Sequence, residues 1–169
     1  TVDPSVSAIG EVACVEGRCL GLVAPGYDMA RVVAARLAGR PHPTGFRTPD
    51  LSTKLKLLGV DVSSFGDAFA GERGDDVDVL TWSDSSAGVH KQLVRRRSDG
   101  RLLGGMLVGD AADHQQLRMM ALGEIDTPAD LASWVAPSTG PRDTGDLPDA
   151  AGVCSCENVT AGALRAAIA

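Results

Sequence analysis

Ser98-Asp99-Gly100 separates two runs of strand-forming residues, Val89 to Arg97 and Arg101 to Gly109. An Asp-Gly turn between two such runs specifies an antiparallel hairpin, because Gly takes the positive φ that a tight reversal needs. Once two long strands are paired, the rest of the chain must supply neighbours for their edges and a layer for their apolar face. Val77 to Trp82 is a further strand. Pro49 to Val62 is another, with Leu55 and Leu57 on one face. Its alternation slips at Leu58-Gly59, so that Val60 and Val62 take the buried phase, and such a slip requires a bulge or bend. The covering layer comes next: Leu117, Met120 and Ala121 share one face of a helix expected over 111–122, with Asp110 as its N-cap. Thr127-Pro128-Ala129-Asp130 has the cap, first-turn Pro and early acid of another helix start. Gly104 and Gly105 mark a close backbone approach. These signals predict an α+β fold, an antiparallel sheet with helices on one side.

Aromatic residues are only 4% of the 169, against 44% hydrophobic residues overall, so the core is built mainly from Leu, Val, Ala and Met. Met106, Met119 and Met120 belong to that core. The formal net charge is −6, which excludes a nucleic-acid partner, since phosphate binding needs a basic stripe. The one basic run, Arg95-Arg96-Arg97, reads as the solvated end of a strand. No apolar run approaches the ~20 residues of a membrane span, so no membrane partner is expected. Four cysteines do not make a disulfide scaffold at this length. Cys154 and Cys156 are too close in sequence for a relaxed mutual bridge, which favours metal ligation in a reducing compartment, the cytoplasm.

Four zones differ in texture: 1–40, 45–136, a Pro/Gly-rich linker over 137–152, and 153–169. Both ends read as cuts from a longer chain. In the first zone, Val6, Ala8 and Ile9 suggest a short buried strand leading to Gly10, where a tight turn leaves room for a ligand. Glu11 then offers a carboxylate to ligand hydroxyls at the strand's carboxyl end. Pro25 suits a first helical turn. The free N–H groups of that helix start, near Leu22 to Gly26, would face electron-rich ligand oxygens. Cys14 and Cys19 read as buried structural thiols rather than a zinc site. Lys54 and Lys56 read as a solvated strand face, with a flavin or nicotinamide phosphate as the other possibility. His42, His90 and His114 lack ligand or catalytic spacing, and no catalytic residue is assigned. In the last zone, the Cys154 and Cys156 thiolates can share one iron. A helix after Thr160 would point its positive end at them.

The runs Val2 to Ala13 and Gly21 to Tyr27 resemble the last FAD-contacting segment of NAD(P)H-dependent nitrite reductase large subunits, which are two-dinucleotide-domain flavoprotein reductases. Many relatives in the wider superfamily carry Asp where this chain has Glu11. Residues 45–136 resemble the interface, or dimerisation, domain of those reductases. Val153 to Thr160 is similar to the first ligand pair of the ferredoxin-like domain associated with bacterioferritin, in which Cys-x-x-Cys follows further along. The resemblance is most specific at residues 2–31, 50–66, 101–111 and 147–168. It implies an FAD-domain end over 1–40 with flavin contacts at Gly10, Glu11, Leu22, Val23 and Ala24. It also implies a [2Fe–2S] domain start over 153–169, with Cys154 and Cys156 as half the ligand set. The parent would pass electrons from NAD(P)H through FAD and an iron–sulfur centre to sirohaem, where nitrite becomes ammonium. The chain alone is expected to bind no cofactor and to be inactive; its partners would be the rest of its own polypeptide and a second copy through the interface domain. Three alternatives stay open: the electron-transfer arm of an assimilatory nitrate reductase, a rubredoxin-reductase-like flavoprotein, and a purely structural interface module.

Overall fold

The computed structural model describes residues 3, 5–40, 45–48, 50–74, 76–137, 146–154 and 159–168. These fall into two compact units, 1–51 and 52–169. Residues 45–51, expected in the middle domain, sit in the first unit because Phe46 and Leu51 pack on its core.

In the first unit, Gly10–Val12 forms one 3-10 turn, followed by strands β1 (Cys14–Val15) and β2 (Arg18–Cys19) and helix α1 (Val23–Leu37). Ala13, Leu20 and Met29 form the buried centre, with Val15 against them. The strand expected over residues 6–9 is absent. The β1–β2 ladder is the unit's one strand pairing among the described residues, so residues 6–9 join no strand ladder, and Val6 and Ile9 remain 54% and 40% exposed. Cys14 and Cys19 are exposed rather than buried. They face one another across the β1–β2 ladder, and Ala13 and Leu20 beside them fill the core instead.

The second unit is built on a five-stranded antiparallel sheet. In chain order its strands are β3 (Thr53–Leu57), β4 (Val60–Gly66), β5 (Val77–Asp84), β6 (Val89–Arg96) and β7 (Leu102–Val108), and in space they run β3-β4-β7-β6-β5. The β6–β7 hairpin forms as expected. The slip at Leu58-Gly59 is a full chain reversal: both residues have positive φ, +51° and +87°, the pattern of a two-residue hairpin turn. Val60, expected in the buried phase, is largely exposed beside that turn. Gly104 and Gly105 are obligatory for contact, as predicted: added Cβ atoms would lie 2.3 Å from Asp67 N and 2.5 Å from Gln92 O. A register shift between Val94 and Arg95 changes the phase of β7, so that Leu102 and Leu107, five positions apart, reach the same core.

Helix α2 (His114–Leu122) covers this sheet. Its Leu117 and Met120 join Phe65, Leu93, Leu102, Leu107, Leu131 and Trp134 in the main core, with Ala121 packed against them. The helix begins at His114, three residues later than expected, and Asp110 is not its N-cap. The carboxylate of Asp110 is used elsewhere: Oδ1 accepts the Ala112 N–H at 3.1 Å, and Oδ2 lies 2.6 Å from the ammonium of Lys91. Lys91 is buried to 1% and stands in a sheet row that runs Lys54, Ser63, Leu107, Lys91, Trp82 across five strands. Asp113 lies 3.8 Å further round the same ammonium. From the other side of the row, Lys54 Nζ donates to the Ala111 carbonyl at 3.0 Å. Lys54 is therefore a fastening for the loop before α2, not a merely solvated face.

The helix expected after Thr127 is a single 3-10 turn over Leu131–Trp134. The Thr127 hydroxyl accepts the Leu102 N–H at 3.1 Å and so ties this segment to β7. Strands β8 (Gly152–Cys154) and β9 (Val159–Thr160) and helix α3 (Ala161–Ile168) complete the unit. Residues 146–152 belong to it too: Ala151 is buried, and Arg165 of α3 donates to the Leu147 carbonyl at 2.7 Å. Among the described residues, no helix is long and apolar enough to cross a membrane.

Removing the half-exposed Asp110 carboxylate leaves the buried Lys91 charge uncompensated, whereas removing the buried ammonium leaves a carboxylate that water can still hydrate. Asp110→Asn should therefore destabilise the second unit by about 2–4 kcal/mol in urea unfolding, because Lys91 stays buried. Lys91→Met should cost less than Asp110→Asn despite deleting the same contact. Equal losses would contradict this assignment.

Candidate functional site

The Gly10 turn of the N-terminal candidate site packs against helix α1 at two points, Gly26 and Met29. Gly10 takes φ +72° and packs on the first turn of α1, where a Cβ on Gly26 would lie 3.5 Å from the Gly10 Cα. The Gly10 N–H points at the Met29 sulfur, 3.3 Å away. A Cβ added at Gly10 would meet no atom within 4 Å, so the space above this turn is open. Glu11 follows on the exposed side. Leu22 is the extended N-cap of α1 and makes no side-chain cap hydrogen bond. With Pro25 buried at the third helical position, the Val23, Ala24 and Gly26 N–H groups form the positive end of the helix. The turn and the helix start, predicted separately, are thus neighbours. A backbone that needs Gly, open space above it and an uncapped helix start together fit an electron-rich ligand such as a flavin.

The C-terminal candidate is Cys154, half-buried on β8 and opposite Val159 of β9. Cys156 lies outside the described residues. Among the described residues no cluster of three or more His, Cys, Asp or Glu side chains is arranged to hold a metal ion. One thiolate does not make a [2Fe–2S] site, so the described residues do not by themselves fit that group. The helix after Thr160 forms, and the Thr160 hydroxyl caps it by accepting the Ala163 N–H at 3.2 Å. Its first N–H groups are not free to meet a thiolate, however. Ala161 donates to the Ala151 carbonyl at 2.9 Å and Gly162 to the Asp149 carbonyl at 3.0 Å. Any support the helix gives an anion here comes from its dipole rather than from direct donation.

What sequence reasoning missed is the grip on the cysteine strand. Gly152, two residues before Cys154, donates its N–H to Glu124 Oε2 at 2.9 Å. Its carbonyl accepts from Gln115 Nε2 and, at 3.4 Å, from Arg118 Nη1. Gln115 and Arg118 project from α2 and Glu124 follows its C-terminus. The spacing of 115, 118 and 124 on a helix and its exit carries no motif, and nothing in the sequence ties it to Gly152. A cleft of about 410 Å³, lined by Met120, Glu124, Ile125, Trp134 and Pro148 among others, adjoins this grip and does not include Cys154.

Other sequence candidates separate from both sites. The Arg95-Arg96-Arg97 run is paired: Arg95 and Arg97 reach Asp78 at 2.9 and 3.0 Å, and Arg96 reaches Asp99 at 3.0 Å. Hydrogen bonds from Arg95 first and Arg97 second hold the Asp78 carboxyl below the ordinary aspartate range. His114 is buried at the start of α2 with its ring edge-on to Phe65 at 5.8 Å. His90 shares a 2.7 Å hydrogen bond with Ser83. His42 lies outside the described residues.

Residues 52–125, which contain the sheet and α2, match the family model of the rubredoxin NAD+ reductase C-terminal domain. Along nearly its whole length the chain is also homologous to one segment of NAD(P)H nitrite reductase large subunits. It is 44% identical to the nitrite reductase [NAD(P)H] large subunit of Klebsiella oxytoca and 42% identical to the nitrite reductase (NADH) large subunit of Escherichia coli, over 99% of the chain in both. Similarity at 31% identity, again over 99% of the chain, extends to the assimilatory nitrate reductase electron transfer subunit of Bacillus subtilis. The chain spans about a fifth of the length of these curated relatives, 18%, 20% and 21% respectively.

A hydrogen bond to a charged group contributes about 1.5–3 kcal/mol. Glu124→Ala should therefore loosen β8 without unfolding the sheet. Limited trypsin digestion should cut after Arg165 about tenfold faster or more, while cleavage after Arg101 keeps its rate. Equal acceleration at both sites would mean that Glu124 supports the sheet instead.

Proposed function

We propose that this chain is the flavin-to-cluster joint of an NAD(P)H-dependent nitrite reductase large subunit. The observation that carries the reading is homology over 99% of the chain to two nitrite reductase large subunits, at 44% and 42% identity. In this reading Gly10 and Glu11, with Leu22, Val23 and Ala24, would form the last FAD-contacting segment, and a bound flavin would convert two-electron hydride transfer into single-electron steps. Gly10 admits the ligand and the helix start faces its oxygens, while Glu11 accepts hydrogen bonds from its hydroxyls. Cys154 and Cys156 supply two thiolates of a [2Fe–2S] centre, completed by cysteines beyond this chain. The remaining redox partners, NAD(P)H and sirohaem, belong to other parts of the parent. The five-stranded sheet acts as the interface domain and pairs with a second copy, in the cytoplasm.

The similarity to the Bacillus subtilis nitrate reductase electron transfer subunit supports a second reading, in which the acceptor lies on a separate subunit. Nitrite is preferred because the Klebsiella oxytoca and Escherichia coli large subunits match at 44% and 42% identity, although a Bacillus subtilis nitrite reductase matches at the same 31% as the electron transfer subunit.

The full-length parent, purified without oxygen, tests both halves. It should show flavin absorbance and acid-labile sulfide and consume nitrite with NAD(P)H. Cys154→Ser and Cys156→Ser should each abolish the reduced-cluster EPR signal and nitrite turnover, yet leave NAD(P)H bleaching of the flavin intact. A cluster that survives both substitutions would sink the assignment.

A further inference from the structure

The hairpin between the Gly10 turn and α1 holds a pair of thiols to which neither half-site gives a role. Cys14 and Cys19 are the only described cysteines of the first unit, and both are exposed and free. They are direct partners in the antiparallel β1–β2 ladder, one step in from Val15 and Arg18. The turn between them is Glu16-Gly17, with φ +50° and +79°, the two-residue reversal that matches strand twist. With such a turn the flanking Val15–Arg18 pair is the hydrogen-bonded one. Cys14 and Cys19 then occupy the closer kind of position, about 4.5 Å between Cα atoms with side chains on the same face. A disulfide spans about 4.4–6.8 Å between Cα atoms, so the ladder itself presents the two thiols at bonding range.

We propose that Cys14 and Cys19 are a dithiol exchange site that closes into a cross-strand disulfide on reaction with a low-molecular-weight disulfide. One cysteine thiolate attacks the small disulfide, forming a mixed disulfide and releasing one small thiol. The second cysteine, as thiolate, then attacks the protein sulfur of that mixed disulfide and expels the second small thiol. Two protein thiols are oxidised, one small disulfide is reduced to two thiols, and the protons balance. Both sulfurs are exposed, so the attack needs no unfolding.

Closure would staple a hairpin whose two ends are already anchored. Ala13 before Cys14 and Leu20 after Cys19 are both buried against Met29. The staple therefore fixes the path from the Gly10 turn to the residues that begin α1 at Val23. The proposal rests on the ladder register and on exposure alone, and is independent of which cofactor the chain serves.

The test uses the reduced 169-residue chain. It is incubated with glutathione disulfide, remaining thiols are trapped with iodoacetamide, and the peptides are mapped by mass. Cys14 and Cys19 should appear joined to each other, lighter by two hydrogen atoms than the dithiol, before any bridge to Cys154 or Cys156 forms. The equilibrium constant for closure should be at least about tenfold larger in the folded chain than in urea, because the ladder pre-aligns the pair. In Cys14→Ser, Cys19 should stop as the glutathione adduct. Wild-type thiols that stay fully trapped, a pair that stops as two glutathione adducts, or a folded-state constant no larger than that in urea would overturn the proposal.

Discussion

Two lysines from one row of the sheet hold the loop that starts α2. Lys91, buried at the centre, takes the Asp110 carboxylate at 2.6 Å, and Lys54, on the edge strand, takes the Ala111 carbonyl at 3.0 Å. A buried ammonium on a strand between Leu107 and Trp82 in register has few ways to be satisfied, and its partner Asp110 stands before a helix that starts only at His114. That start sets the phase of α2. Leu117 and Met120 turn inward to the core, while Gln115 and Arg118 are placed to meet the Gly152 carbonyl. The strand bearing Cys154 is therefore fastened, through one glycine peptide, to a helix that the sheet lysines have positioned.

In the proposed function the two candidate sites would organise their ligands by opposite means. The first relies on backbone alone: a glycine turn with open space above it, next to a helix start without a cap. It offers shape and partial positive charge and needs little from side chains beyond Glu11. The second relies on a thiolate, and its helix has already spent its leading N–H groups on Asp149 and Ala151. What the second unit contributes to Cys154 is a fixed position rather than direct donors.

Local chemistry made much of this architecture legible in the sequence. Ser98-Asp99-Gly100 specified its hairpin, Leu117 and Met120 marked the covered face of α2, and Gly104 and Gly105 marked where strands crowd. Gly10 and the helix start near Leu22 were legible for the same reason, since positive φ and free N–H groups follow from short stretches. The misreadings share one cause, competition from partners distant in sequence. Asp110 and Thr127 look like helix caps until Lys91 and the Leu102 amide claim them. Residues 6–9 look like a strand but join no strand ladder among the described residues, and Cys14 and Cys19 look like core residues until the β1–β2 register faces them toward each other in solvent. The hold of Glu124 on Gly152 spans 28 residues and left no local trace.

The account stands on the cysteine strand being part of the same cooperative body as α2 and the sheet. Native-state hydrogen exchange at the Gly152 amide, compared with the Leu117 amide in α2, measures this most directly. The two should open with free energies within about 1 kcal/mol of each other. A Gly152 amide that exchanges at the rate of an open loop, while Leu117 stays protected, would contradict it.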